Sequence, residues 1–151
     1  MTETSAISDE IRQLIGKEFG PQVYEVDKSM IRKFAEAIGD PNPLYNDEAY
    51  ARKSGHGALL APPTFVTALR LEEVSQKAME AKCPLPRVLN GGNDIEYFQP
   101  IKAGDTITVT GKLANARETA GGKMLLLFLE FTFKNQRDEL AAKCVLTLIR
   151  R

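Results

Sequence analysis

The sequence has little that would direct it to a membrane, to nucleic acid or to an oxidising compartment. Its two cysteines, Cys83 and Cys144, are too few for a disulfide framework and lack the spacing of a zinc site. Twenty basic residues balance twenty acidic ones, which argues against nucleic acid as the main partner. The longest apolar run, 124–129, is much shorter than the roughly 20 residues that span a bilayer. The polar segment 1–10 lacks the pattern of a signal peptide. We therefore expect a cytoplasmic protein with reduced thiols, no metal or other cofactor, and neither nucleic acid nor membrane as a partner.

The composition, 43% hydrophobic and 26% charged, indicates a globular protein, and a length of 151 residues fits a single domain over 1–151. The sequence has no internal repeat, low-complexity tract or linker. Residues 1–19 are expected to form an N-terminal extension that includes a short helix over 8–15.

Hydrophobic periodicity predicts a helix over 29–38, capped by Asp27 and ended by Gly39. Residues 40–63 lose this periodicity and are rich in Pro and Gly, apart from a helical turn or two over 47–53. Long irregular segments inside small domains are often functional.

A second helix is predicted from Thr64 to just before Pro84, with a first half so apolar that it should be buried on nearly every side. Alternating apolar and polar residues predict strands over 23–26, 88–98, 106–113, 124–133 and 140–149. Short turns between the last three strands favour an antiparallel meander, which would curve around the helix. The edges left by such a sheet make dimerisation a reasonable expectation.

Two motifs lie in and just after the irregular segment: Gly39-Asp40-Pro41-Asn42-Pro43-Leu44 and Leu60-Ala61-Pro62-Pro63-Thr64-Phe65. Together with the element Asn93 to Asp105, they resemble the MaoC-type hydratase/dehydratase family, and most of all the branch similar to the N-terminal half of fatty-acid-synthase-type dehydratases. The resemblance implies an α+β hot-dog fold, a curved antiparallel β-sheet wrapped around a central helix. It also implies a lyase of fatty acid metabolism that acts on acyl-CoA or acyl carrier protein thioesters, by (R)-specific hydration of a trans-2-enoyl group or the reverse.

Such chemistry needs a base for water, an acid for the α-carbon and N–H donors for the enolate-like oxygen. Active members of the family supply the first two from an Asp-x-x-x-x-His motif on this loop. Asp40 matches the Asp, but Tyr45 occupies the His position, and an ordinary phenol is a poor base at neutral pH. Pro63 occupies the position of a Gly whose N–H faces the thioester oxygen, and proline has no N–H. Thr64 or a later amide would have to take that role.

The resemblance thus makes Asp40 and Tyr45 the candidate catalytic residues. The candidate substrate-binding residues are Asn42, His56, Gly57, Ala61, Pro63 and Thr64. His56 is the only histidine, and a Gly-flanked loop position suits either an exposed side chain or a base that swings toward the site. Asp40 and Asn42 also suit plain turn formation before proline.

Three hypotheses for the function stay open. The chain resembles the degenerate unit of two-domain and heterodimeric family members, in which another hot-dog subunit brings the Asp-His dyad and this unit shapes the acyl groove. It would alternatively be a self-sufficient homodimeric enzyme with Tyr45 or His56 as the base. It would otherwise be a non-catalytic acyl-CoA-binding or regulatory module. A hot-dog thioesterase fits the Asp40 loop less well.

Overall fold

A computed structural model describes residues 5–151 of the chain, so residues 1–4 of the predicted N-terminal extension lie outside the described residues. The helices are α1 (Asp9–Leu14), α2 (Lys28–Ala37), α3 (Glu48–Lys53) and α4 (Glu72–Glu80). The strands are β1 (Glu18–Glu25), β2 (Val88–Tyr97), β3 (Thr106–Glu118), β4 (Leu125–Lys134) and β5 (Leu140–Arg150). Short 3₁₀ turns cover Pro43–Tyr45, Phe65–Ala68 and Ala120–Gly122.

The five strands form one sheet in the order β1-β3-β4-β5-β2, with every neighbouring pair antiparallel. The predicted meander is confirmed, since β3, β4 and β5 follow one another in the sheet as they do in the chain. Every second residue of β4, from Leu125 to Phe133, is buried. This face packs toward the helical segment, and α4 contacts both β3 and β4. The sheet and the helical segment together give the α+β architecture.

Local signals in the first half of the chain form as predicted. The Asp27 carboxylate accepts a hydrogen bond from the Met30 amide at 2.8 Å and caps α2. Gly39 follows α2 with φ +70°, the left-handed conformation that ends many helices. Asp47 caps α3 in the same way, through the Tyr50 amide at 3.1 Å.

The prediction of one continuous central helix from Thr64 is wrong. A 3₁₀ turn over Phe65–Ala68 is followed by an extended stretch, with Leu71 at φ −98° and ψ 93°, and α4 begins only at Glu72. The break lets the Leu71 side chain enter the space beside Gly20 and Gly111, since its Cδ2 lies 3.3 Å from where either glycine would carry a Cβ. The Tyr24 hydroxyl donates to the Arg70 carbonyl, which a continuous helix would have used internally. The early part is also less buried than expected, because Thr64 and Ala68 are exposed.

One edge of the sheet is open. β2 pairs with β5 on one side only, and its residues from Val88 to Asp94 are all exposed. A ten-residue edge of unpaired backbone groups is a surface on which another strand can pair. No helix in the described part of the chain is long and apolar enough to cross a membrane.

Candidate active site

The Asp40 loop, residues 39–47, begins at the end of α2. The Gly39 amide donates to the Glu36 carbonyl at 3.0 Å and the Asp40 amide to the Ala35 carbonyl at 3.0 Å, which is the Schellman pattern. Asp40 Oδ1 then accepts from the Asn42 amide at 3.0 Å, and Asn42 Oδ1 accepts from the Leu44 amide at 3.0 Å. Both residues therefore form the turn bonds that their position before proline predicts, and these bonds hold the Asp40 carboxylate beside the end of α2.

Asp40 lies at an open cleft. Its side chain is half-buried, and its second carboxylate oxygen, Oδ2, accepts no hydrogen bond from any described residue. The cleft has a volume of about 540 Å³ and is lined by Arg32, Ala35, Glu36, Gly39, Asp40, Pro41 and Asn46. Asp40 thus keeps one oxygen available to a molecule that enters the cleft.

Tyr45 is buried, at 8% exposure, on the 3₁₀ turn of the same loop. Burial raises the pKa of its phenol above the ordinary value, and the negative charge of Asp40 raises that pKa further. Its hydroxyl makes no hydrogen bond to a described residue. Among these residues every fully buried polar side-chain atom has a hydrogen-bond partner, so the Tyr45 hydroxyl oxygen is not fully buried and reaches solvent. At neutral pH this group is a proton-bearing phenol and not a base.

The Pro63 turn, residues 62–66, lies next to the Asp40 loop. The Leu60 amide just before it donates to the Leu44 carbonyl at 2.9 Å, and the Phe34 ring of α2 packs edge-on against Phe65, with centroids 5.5 Å apart. The Ala61 amide donates to the Ile101 carbonyl at 2.8 Å, so it is not free to donate to a ligand.

The Thr64 amide is a free donor in the Pro63 turn. It donates to no other described residue, whereas the Phe65 amide bonds to the Pro62 carbonyl at 2.9 Å. Both Pro63 and Thr64 are exposed. A free, exposed backbone N–H at the start of a helical segment can bind a negatively polarised oxygen.

Tyr97, at the end of β2, is a site residue that the sequence analysis missed. Its hydroxyl donates to the Pro63 carbonyl. Burial raises its pKa from 10.0 to about 12, against a smaller lowering effect of the Val66 amide beside the hydroxyl. The sequence could have indicated it, because Tyr97 alternates with Ile95 on the half-buried face of β2, the strand that pairs with β5.

A narrow crevice of about 20 Å³ separates the helical segment from the sheet. Its lining is mostly apolar, with a few polar groups, and comprises Val66, Thr67, Leu69, Arg70, Ser75, Asn93, Phe131, Phe133, Cys144 and Leu146. The inner face of β4 contributes Phe131 and Phe133 to this lining. Burial raises the pKa of the Cys144 thiol, which makes it less reactive.

His56 and Gly57 make no side-chain hydrogen bond to these groups among the described residues. They follow α3 in a turn where Gly57 has φ +77°, and the His56 amide donates to the Ala51 carbonyl at 3.2 Å. The His56 side chain is half-buried, and no hydrogen bond or ion pair between described residues joins it to Asp40 or Tyr45. Asp40, Asn42 and Tyr45 lie on the Asp40 loop, Ala61, Pro63 and Thr64 lie in or just before the Pro63 turn, and the cleft at Asp40 is lined by no residue of that turn.

A five-stranded antiparallel sheet packed against a short helical segment, in this order of elements, is the hot-dog fold. The family model described as "FAS1-like, dehydratase domain region" matches residues 13–144. The chain therefore belongs to this MaoC-like hot-dog family, as the motifs predict.

Known relatives and structures agree with this assignment. A protein of Thermobifida fusca named "UPF0336 protein" is 38% identical over 119 residues, which cover 77% of this chain and 78% of that protein. A solved "MaoC-like dehydratase" superposes with a TM-score of 0.80 at 24% identity, over 91% of this chain and 42% of that longer chain. A chain of the HadBC (3R-hydroxyacyl-ACP dehydratase) complex from Mycobacterium tuberculosis superposes with a TM-score of 0.77 at 23% identity, over 90% of this chain and 96% of that one. At these identities the two structures establish the fold.

Proposed function

We propose that the chain is the acyl-thioester-binding subunit of an enoyl-thioester hydratase or 3-hydroxyacyl-thioester dehydratase. One observation carries the proposal. A carboxylate with a free oxygen, on the Asp40 loop, and an unbonded Thr64 amide, on the Pro63 turn, lie on segments that are joined by the bond between the Leu60 amide and the Leu44 carbonyl. Acyl-CoA or acyl carrier protein thioesters are the substrates that such a pair fits.

The two groups suit different parts of the reaction. When water adds to a trans-2-enoyl thioester, negative charge develops on the thioester oxygen, and the Thr64 N–H would stabilise it there. Asp40 is the proton-transfer group that this chain would offer, and Asn42 would hold it through the turn they share. Tyr45 keeps its proton at neutral pH, so it would act as a hydrogen-bond donor and not as the base for water.

The missing base would come from a second hot-dog subunit. His56 is the only imidazole of this chain, and no hydrogen bond connects it to the Asp40 loop. The open edge of β2 would pair with the same edge of the partner, which makes one continuous sheet. A homodimer would repeat the same incomplete set of groups, whereas an unlike subunit with an Asp-x-x-x-x-His motif would complete it.

The crevice would take the acyl chain. Leu69, Phe131, Phe133 and Leu146 supply apolar walls beside Val66, next to the proposed thioester end. Because its volume is only about 20 Å³, roughly the space of one water molecule, the helical segment would have to shift outward to admit an acyl chain. We place this subunit in the cytoplasm, where the two free cysteines stay reduced.

The test compares the chain alone with the chain co-purified with a dyad-bearing hot-dog subunit, in hydration of crotonyl-CoA and longer enoyl-CoA thioesters. The key variant is Asp40→Asn, whose side-chain oxygen can still cap the Asn42 amide. Asp47→Asn is the matched control, since Asp47 is an exposed carboxylate in the same loop with the same kind of capping bond.

We expect hydration by the complex, little by the chain alone, and a loss with Asp40→Asn that Asp47→Asn does not reproduce. Equal activity of Asp40→Asn and the wild type in every combination would rule out a direct role of Asp40. Thioester binding without turnover, whichever partner is added, would instead support the non-catalytic module.

A further inference from the structure

The side chain of Tyr97, on β2, makes an unusual contact with the Pro63 turn. Its hydroxyl donates to the Pro63 carbonyl, and the Val66 amide faces the same hydroxyl. In a closed 3₁₀ turn the Val66 amide would bond directly to the Pro63 carbonyl, three residues earlier. The Val66 amide makes no such bond, and the Tyr97 hydroxyl is instead the donor to the Pro63 carbonyl, while the next bond, from the Thr67 amide to the Thr64 carbonyl, is direct at 3.0 Å.

The Pro63 carbonyl and the Thr64 amide belong to one planar peptide unit. In a trans peptide the C=O and N–H bonds point in opposite directions, so a partner that fixes the carbonyl also fixes the direction of the N–H. A hydrogen bond accepted by the carbonyl also polarises the unit and strengthens its N–H as a donor. Tyr97 thus acts on the amide group that stays free at the tip of the helical segment.

We propose that Tyr97 is a positioning residue, whose hydroxyl orients and polarises the Pro63–Thr64 peptide so that the Thr64 N–H binds the thioester oxygen. This inference rests on the proposed function of the turn. It also explains how a turn that begins with two prolines, neither of which has an N–H, keeps one rigid donor. Without the hydroxyl, the Val66 amide is free to close on the Pro63 carbonyl and turn the peptide away.

The chain contains a matched control. Tyr24 also donates its hydroxyl to a backbone carbonyl of the same segment, that of Arg70, and its pKa is also raised by burial. Tyr97→Phe and Tyr24→Phe therefore remove the same chemical group from the same kind of bond, but only the first bond acts on the Pro63–Thr64 peptide. Thermal unfolding of both variants shows whether each is folded before binding is compared.

The readout is the carbonyl stretching frequency of crotonyl-CoA labelled with ¹³C at the thioester carbon, bound to the chain and measured by difference infrared spectroscopy. We expect the wild type and Tyr24→Phe to lower this frequency relative to free ligand. Tyr97→Phe should lose most of that shift and weaken binding less than about tenfold. In the complex with a dyad-bearing subunit, Tyr97→Phe should lower kcat about tenfold with little change in KM, because a misdirected donor chiefly affects the charge of the transition state.

The outcomes separate the two proposals. If Tyr97→Phe binds the thioester and keeps the full wild-type shift, the role of Tyr97 is refuted and thioester binding stands. If the wild type binds no thioester, the proposed function and this inference both fail. Should Tyr97→Phe not fold, 3-fluorotyrosine at position 97 replaces it, since a more acidic hydroxyl should enlarge the shift; an unchanged shift overturns the inference.

Discussion

Replacement of Tyr45 by histidine tests whether the Asp40 loop is an active-site loop that lacks only its base. Tyr45 is buried beside Asp40, with a hydroxyl that reaches solvent and makes no hydrogen bond to a described residue. In Tyr45→His, an imidazole would enter this place five residues after the carboxylate. We expect the chain alone to gain hydration of crotonyl-CoA.

The size of the gain follows from the two pKa values. A phenol at its ordinary pKa of 10 is only about 0.3% ionised at pH 7.5, and the raised pKa of Tyr45 lowers that fraction further. An imidazole with pKa near 6.5 is about 90% in its basic form at the same pH. A positioned general base raises the reaction rate by about 10²- to 10⁴-fold. We therefore expect the hydration rate of Tyr45→His to exceed that of the wild type by at least about 100-fold. Loss of buried ring contacts should cost about 1–3 kcal/mol of stability.

The assay follows the loss of enoyl-thioester absorbance between pH 6 and 9, where the rate should rise with an apparent pKa near 6.5. Tyr45→Phe should show no gain over the wild type, and Tyr45→His combined with Asp40→Asn should lose the gain. A folded Tyr45→His chain that binds thioester but shows no gain would refute the interpretation of this loop. So would a wild-type activity that Tyr45→Phe abolishes.

Three further predictions concern the frame of the site. The folded-state pKa of Tyr97, about 12, lies above the ordinary value of 10.0, so the native state retains this proton longer and stability should fall as pH rises through that window. Two pKa units equal about 3 kcal/mol, which partial exposure reduces to about 1–2 kcal/mol, and Tyr97→Phe should remove this part of the pH dependence in urea melts.

Arg150, at 6% exposure, donates to the carbonyls of Ala78 in the last turn of α4 and of Ala81 and Leu85 just after it. Arg150→Met should therefore cost about 2–4 kcal/mol and lower Tm by about 5–15 °C, whereas Arg151→Met at the exposed neighbour should not. In Gly111→Ala the new methyl would lie 2.9 Å from Cδ1 of Phe131, so we expect a loss of about 1–3 kcal/mol in denaturant unfolding, and a crevice altered at Phe131.

Sequence signals succeeded where a residue and its partner lie close together along the chain. Asp27 needs only the amide of Met30, and Gly39 needs only the last turn of α2, so both helix ends were predictable. The alternation in β4 likewise predicts which face is buried, because each residue reports its own side of the sheet. The family motifs located the Asp40 loop and the Pro63 turn.

The remaining features depend on partners far apart in sequence. The central helix breaks because Leu71 enters a space beside Gly20 and Gly111, and no periodicity around Leu71 contains that information. The hydrogen bond from Tyr97 to Pro63 joins residues 34 positions apart. The first strand is longer than the predicted 23–26, since its pairing with β3 begins at Glu18.

The most direct measurement is calorimetric binding of crotonyl-CoA to the chain alone, followed by hydration assays of the same sample before and after a dyad-bearing hot-dog subunit is added. We predict saturable binding with negligible turnover alone, and turnover in the complex that survives His56→Ala in this chain but not removal of the partner's histidine. Full turnover by the chain alone, or no thioester binding in either state, would contradict an acyl-binding subunit that lacks its own base.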